Sequence, residues 1–351
     1  MTLKTRDSNM ELLRITAMVL VLVVHANFRA LPIPGPSQIV MAPVSSLLMF
    51  LTEGISICAV DLFVLLSGWY GIRFKGSRLA ELLFQVLFFG VFALGVSAVF
   101  WPHELQNDVV GRLFMLNPGN YWFIKTYVGL SLLSPVLNAF VEHATRRQFA
   151  VVLITFYAFQ FIFGWYFDAT TWFRGGYSLP SFIGLYLLAR FMRLYPLRVW
   201  RLSRWADLAI YLSIVATLTI VMFLIKRAGG RGDYVYFYNC PLVMLAAMHL
   251  LLFFSKLSFK SRLVNWVASS MLAVYLVQSS TFLWNRHDDL VRYWFNNEPR
   301  FEFIIYTAGL LAVVLVVSVS VDKLRLALWQ GVLCVVDIIT EKINIKNGKQ
   351  D

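Results

Sequence analysis

Ten apolar stretches follow one another along this 351-residue chain, with only short polar segments between them. They cover 11–31, 44–71, 78–101, 120–141, 148–167, 177–195, 205–225, 234–254, 264–284 and 302–321. Each is close to the roughly 20 residues a helix needs to cross the hydrocarbon core of a bilayer. The second is long, and Gly54 and Gly68 within it mark it as tilted or broken. Segment 322–340 is apolar only in stripes (Leu324, Leu328, Val332, Val335, Ile339), which predicts an amphipathic helix at the membrane interface rather than an eleventh span. The expected fold is therefore all-α. A polytopic membrane bundle of about ten transmembrane helices occupies 1–321, and an interfacial helix and tail occupy 322–351.

Composition agrees. Hydrophobic residues make up 59% of the chain and charged residues 14%, whereas a soluble domain is about a quarter charged. The mean hydropathy is +0.68. Tyr and Trp are abundant and suit the membrane–water interface. The first apolar run has no small-residue cleavage site and carries Arg14 in its first turn, so it reads as a span and not as a signal peptide. No long polar stretch leaves room for a separate catalytic domain, so any chemistry is expected within the bundle or at its faces.

Orientation follows from Lys and Arg. With the N-terminus inside, twenty fall on the cytoplasmic side and nine in the opposite loops, with Arg14 and Lys125 inside spans. That bias places both termini in the cytoplasm. It also accounts for most of the +12 net charge as an inner surface facing anionic lipid, so no nucleic-acid partner is implied. Cys58, Cys240 and Cys334 have apolar neighbours and no paired spacing, and read as small buried hydrophobes; no metal site is expected. No internal repeat is evident, which argues against a two-halved transporter.

Ionisable residues inside spans are costly and mark functional candidates. Arg14 and His25 lie eleven residues apart, so they share a helix face about 20° wide and sit roughly 16 Å apart along the axis. Snorkelling to the two headgroup layers explains them equally well. As a functional pair they give a cation near the inner boundary and an acid–base group in the outer half. Asp61 interrupts an apolar run and could orient a histidine on a neighbouring helix or pair with a buried cation. Glu53, between Thr52 and Gly54, marks a polar break. The fourth span opens at Asn120; its Trp122 and Lys125 share a face, as an interfacial belt or as contacts to an anionic substrate. Arg190 and Arg193 belong to a cationic inner segment that suits phosphate as well as topology, and Lys75 with Arg78 forms a smaller cluster of that kind.

Taken together these residues resemble the type-three membrane acyltransferases, bacterial enzymes that O-acylate surface carbohydrates. The resemblance rests on Arg14 and His25 at their spacing, Val60–Gly68, Tyr121-Trp122-Phe123, Leu130–Pro135, Pro241–Leu245 and Val264–Leu276, and covers about 10–320. It implies a ten-helix bundle in the bacterial inner membrane. The bundle would take an acyl group, usually acetyl, from cytoplasmic acyl-CoA to a hydroxyl of a glycan or glycolipid, with no permanently bound cofactor. It implies His25 as acid–base or acyl-relay residue, Arg14 as a site cation, and Lys75 with Arg78 at the CoA phosphates. Lys75 stands where the family has an arginine of that basic pair, and two further positions depart from the pattern. Gln278 stands where many members carry histidine and cannot transfer a proton, and Tyr121 stands where histidine often precedes Trp-Phe. The chain stops 30 residues past the last predicted span, which resembles the membrane-only type. The competing expectation is a transporter or flippase that uses the same buried charges without covalent chemistry.

Overall fold

The computed structural model describes residues 7–104, 109–116, 121–167 and 170–347, with side chains up to residue 335 apart from Glu104. Lys4, Arg6 and Lys349, which the charge count includes, and Asn120, where the fourth span is expected to open, lie outside the described residues, as do the side chains of Ile339, Lys342 and Lys346.

Every regular element among the described residues is helical. In hydrocarbon each backbone N–H and C=O needs a partner inside its own segment, and the helix provides it. The order is α1 (Ser8–Val24), continued by a π-helical turn at His25–Arg29, α2 (Pro36–Met41), α3 (Pro43–Ser56), α4 (Ala59–Tyr70), α5 (Gly76–Phe100) and α6 (Val109–Leu113). Then come α7 (Trp122–His143), α8 (Arg146–Phe159) with a second π stretch at Gln160–Tyr166, α9 (Leu179–Leu194), α10 (Arg204–Arg227) and α11 (Pro241–Ser255). The chain ends with α12 (Arg262–Ala268), α13 (Met271–Gln278), α14 (Trp284–Asn297) and α15 (Arg300–Asn347). Pro at the first turn of α2, α3 and α11 starts those helices where its missing N–H costs nothing.

Eight helical segments among the described residues are long and apolar enough to span a membrane: Ser8–Arg29, Pro43–Tyr70, Gly76–Phe100, Trp122–His143, Arg146–Tyr166, Arg204–Arg227, Asp233–Ser255 and Arg300–Val335. Their outer faces carry exposed Val99, Val136, Ile154 and Val316, the surface expected of helices that meet lipid. Two predicted spans differ. Stretch 177–195 contains only the 16-residue α9, and stretch 264–284 is divided into α12 and α13 by Ser269–Ser270 and ends at Ser279–Ser280. Serine hydroxyls compete for backbone partners and favour such breaks. Stretch 44–71 is broken at Ile57–Cys58, three residues beyond Gly54.

Three further differences matter. Segment 285–301, read as an outer loop, holds the helix α14, whose His287, Asp288 and Val291 are buried against the rest of the protein. The helix α15 runs through residues 321–322 without a break, so no separate element begins at 322. Cys58 and Cys240 are buried, but Cys334 is exposed on α15, where little packs against it.

The bundle is organised around α1, which touches α3, α4, α11, α12 and α13. Beside it α4 packs on α9 through Gly68. A Cβ at Gly68 would stand 2.5 Å from the Tyr186 carbonyl oxygen and 2.9 Å from the Ala189 Cβ, so only glycine lets these backbones approach so closely.

Candidate active site

The side chains around α1 leave a cavity of about 880 Å³. That is near the upper end of the roughly 300–1,000 Å³ usual for small-molecule sites. Its wall reaches from the loop after α4, with Arg73 and Lys75, past Arg14 and His25, to Asp233 and Tyr236–Tyr238 before α11.

The basic end is built by a pinned loop. Gly71 takes φ +77°, a left-handed conformation that suits glycine, and turns the chain out of α4. The next residue is held twice: the Ile72 N–H donates to Tyr186 Oη (3.1 Å), and its carbonyl accepts from Asn138 Nδ2 (2.8 Å). Tyr186 in turn donates to Asn138 Oδ1 (2.5 Å). The loop thus presents Arg73 and Lys75, and the first turn of α5 adds Arg78; all three line the cavity. The N-terminus of α5 lies at the same place, where free N–H groups and the helix dipole favour an anion.

Arg14 lines the cavity one level deeper and is paired with Glu11, Nη1 to Oε2 at 2.6 Å. His25 follows on the same face, where α1 changes to the π turn. Single π turns inside α-helices are rare and concentrate at functional sites. His25 Nδ1 donates a hydrogen bond to Gln278 Oε1 at the end of α13. With that amide oxygen as the acceptor, the proton sits on Nδ1 and Nε2 keeps its lone pair. The departure at 278 therefore supplies the partner of His25. Glu53 also lines the cavity and accepts from Asn27 Nδ2 of the π turn at 2.9 Å.

Arg29, one turn beyond His25, lines the cavity too. Its Nη2 and Nε donate to Asp288 Oδ1 (2.9 Å) and Oδ2 (3.3 Å) on α14. Burial pushes the Asp288 carboxyl up, but hydrogen bonds from His287 and Arg29 together with their charge outweigh it and hold it below its ordinary value. At neutral pH Asp288 is ionised. Towards Asp233, Trp122 stacks near Tyr177 (4.5 Å between ring centres) and Tyr238 (6.0 Å).

Of the residues predicted from sequence, the fold brings Arg14, His25, Lys75, Arg78 and Trp122 to one cavity. It does not bring four others. Asp61 is buried one position round α4 from the Val60–Phe63–Ser67 wall, does not touch His25, and neither of its oxygens has a hydrogen-bond partner among the described residues. The orienting partner is Gln278 instead. Arg190 packs under the loop, its Nη1 3.2 Å from where a Gly71 Cβ would be. Arg193 stands 4.9 Å over the Trp69 ring and faces a separate, smaller pocket. Lys125 turns out of the cavity, with Nζ donating to the Met115 carbonyl (3.3 Å). Arg29 is one of the nine outer cations of the charge count; its position four residues after His25, on the same face, is the signal that the sequence offers.

His25, part-buried, thus stands on a cavity that joins a basic mouth to an aromatic one. The acyltransferase domain of the type-three membrane acyltransferases matches residues 7–321, and the chain belongs to that family. It is a membrane acyltransferase with several apolar helices. No curated protein and no solved structure matches it.

Proposed function

We infer that the chain transfers an acyl group, acetyl above all, from acyl-CoA to a hydroxyl of a surface or lipid-linked glycan, in the bacterial inner membrane with both termini cytoplasmic. The observation that carries this reading is the single cavity joining Arg73, Lys75 and Arg78 to His25. Arg and Lys at the start of a helix suit the phosphates of CoA. The extended pantetheine arm then runs along α1 past Arg14, and the thioester arrives at His25. The acceptor hydroxyl enters from the aromatic end, where flat rings suit the C–H faces of a sugar. His25 Nε2 takes the hydroxyl proton as the oxygen attacks the thioester carbonyl. Gln278 holds the ring so that this nitrogen stays the base. The rival reading is a transporter that uses the same conduit and the same buried charges without covalent chemistry.

Two measurements test the reading together. Mass spectrometry of surface glycans from cells with and without the protein should show an acyl-sized mass difference that depends on His25. Purified protein given acetyl-CoA and extracted surface glycan should release CoA thiol. Unchanged glycans and no thiol release would overturn the reading in favour of transport.

A further inference from the structure

Acyl transfer passes through a tetrahedral oxyanion, and in a dry site that charge needs a fixed donor. The backbone of a membrane helix offers little, because its N–H groups are already engaged: in the π turn the Ala30 N–H reaches the His25 carbonyl (3.2 Å) and the Leu31 N–H that of Asn27 (2.7 Å). The donor must therefore be a side chain at the level of His25. Among the cavity's cations Arg14 is eleven residues back, roughly 16 Å away along the helix. Arg73, Lys75 and Arg78 lie beyond it at the basic mouth. Arg29 is one turn from His25 on the same face.

Its guanidinium is held rigidly from α14. Asp288 grips one edge, taking Nη2 at 2.9 Å and Nε at 3.3 Å, and the Trp284 ring lies 5.5 Å from Cζ. Asp288 Oδ1 also accepts from His287 Nδ1 (3.1 Å), which fixes the carboxylate. The helix that carries this clamp is itself tied down: Arg292 Nε donates to the Ala30 carbonyl (2.7 Å), and Val291 is fully buried with Ala26, Ala30 and Leu31. A side-on ion pair uses Nε and Nη2 and leaves the two N–H groups of Nη1. Among the described residues Nη1 has no hydrogen-bond partner, and Arg29 borders the cavity.

The geometry points to Arg29 as the oxyanion-binding catalytic residue, with Asp288 and Trp284 as positioning residues. This rests on the acyl-transfer reading above. The acceptor oxygen bonds to the thioester carbonyl carbon while His25 Nε2 takes its proton, and the carbonyl π pair moves onto oxygen. Arg29 Nη1 donates to that oxyanion. Collapse re-forms the carbonyl and breaks the C–S bond; the departing thiolate takes the proton back from His25, giving ester and free thiol.

Steady-state thiol release from acetyl-CoA, with extracted surface glycan as acceptor and the full chain in lipid nanodiscs, tests this. Arg29→Gln should lower kcat about 100- to 1000-fold, the usual cost of losing one oxyanion donor, with KM for acetyl-CoA within about twofold. Asp288→Asn should lower kcat about tenfold, again with KM unchanged, because it loosens the guanidinium without removing it. Should Arg29→Gln fail to fold, Arg29→Lys decides. It keeps a charge for Asp288, but an ammonium cannot grip that carboxylate and reach the oxyanion together, so kcat should fall at least tenfold. Wild-type kcat in Arg29→Lys, or an Arg29→Gln defect confined to KM, would overturn the assignment. Absence of thiol release from the wild type would overturn the acyl-transfer reading itself, and this inference with it.

Discussion

At the scale of single residues the decisive contact is between His25 and Gln278. Histidine offers two nitrogens, and which one carries the proton is set by its partner. With Gln278 Oε1 as its acceptor Nδ1 carries the proton, and in the proposed mechanism Nε2 is the base. Gln278→Leu leaves the ring in place but removes the commitment, and kcat should fall about tenfold with KM for the donor nearly unaltered. His25→Ala removes the base and should lower kcat by at least about 100-fold, within the range of general acid–base catalysis. Steady-state kinetics with donor varied at fixed acceptor separates the two. If Gln278→Leu proves as active as the wild type, the tautomer does not matter to the rate-limiting step. Sequence reasoning could find His25, because a histidine inside a span is conspicuous. It could not find Gln278 as its partner, since the two are joined only by the packing of α13 on α1. Asp61 shows the converse error. A carboxylate in an apolar run is conspicuous as well, but the 100° turn per residue of α4 faces it away from the cavity wall.

At the scale of elements, the α4–α9 contact decides where the basic loop stands. Gly68 sits against the Tyr186 backbone, and the Tyr186 hydroxyl holds Ile72 four residues on. A methyl group at Gly68 meets backbone rather than a movable side-chain tip, so Gly68→Ala must push the helices apart. Thermal denaturation should show a loss of about 1–3 kcal/mol, the usual range for overpacking. The KM for acyl-CoA should rise as well, because Arg73 and Lys75 shift with the loop. A variant with wild-type stability and KM would mean that α9 does not set the loop. Hydrophobic periodicity identifies the long spans well, and eight of the ten predicted stretches correspond to helices of spanning length and hydropathy. It fails at α12–α13 and at α14. In the first case serines break a run that averages as apolar, and in the second a polar sequence folds as a helix because one face packs on the π turn.

At the scale of the whole molecule the cations fall into two groups that sequence alone merges. Arg73, Lys75 and Arg78 line the cavity, whereas Arg190 lies beneath their loop and Arg193 over Trp69. Arg78→Gln should therefore raise KM for acyl-CoA roughly ten- to hundredfold, the value of one charge-assisted phosphate contact, and change kcat little. Arg193→Gln should leave KM within about twofold. Equal effects of the two would place the donor phosphates elsewhere. Positive charge is spread through several segments between the helices, so its sum is readable from sequence; which cations converge depends on a loop fixed by Tyr186 and Asn138.

The same ring of cations bears on a problem that a soluble acyltransferase never meets. A cavity reaching from one loop layer of the bundle to the other is also a potential leak, and a membrane potential of 100 mV drives each elementary charge with about 2.3 kcal/mol. Arg73, Lys75 and Arg78 line one end of that cavity, and Arg14 lies deeper, paired with Glu11. Fixed positive charge in a narrow low-dielectric passage repels cations while drawing in an anionic donor. On the acyl-CoA reading proposed above, the groups that hold the donor phosphates also act as electrical insulation, so that a passage for a thioester need not short-circuit the membrane.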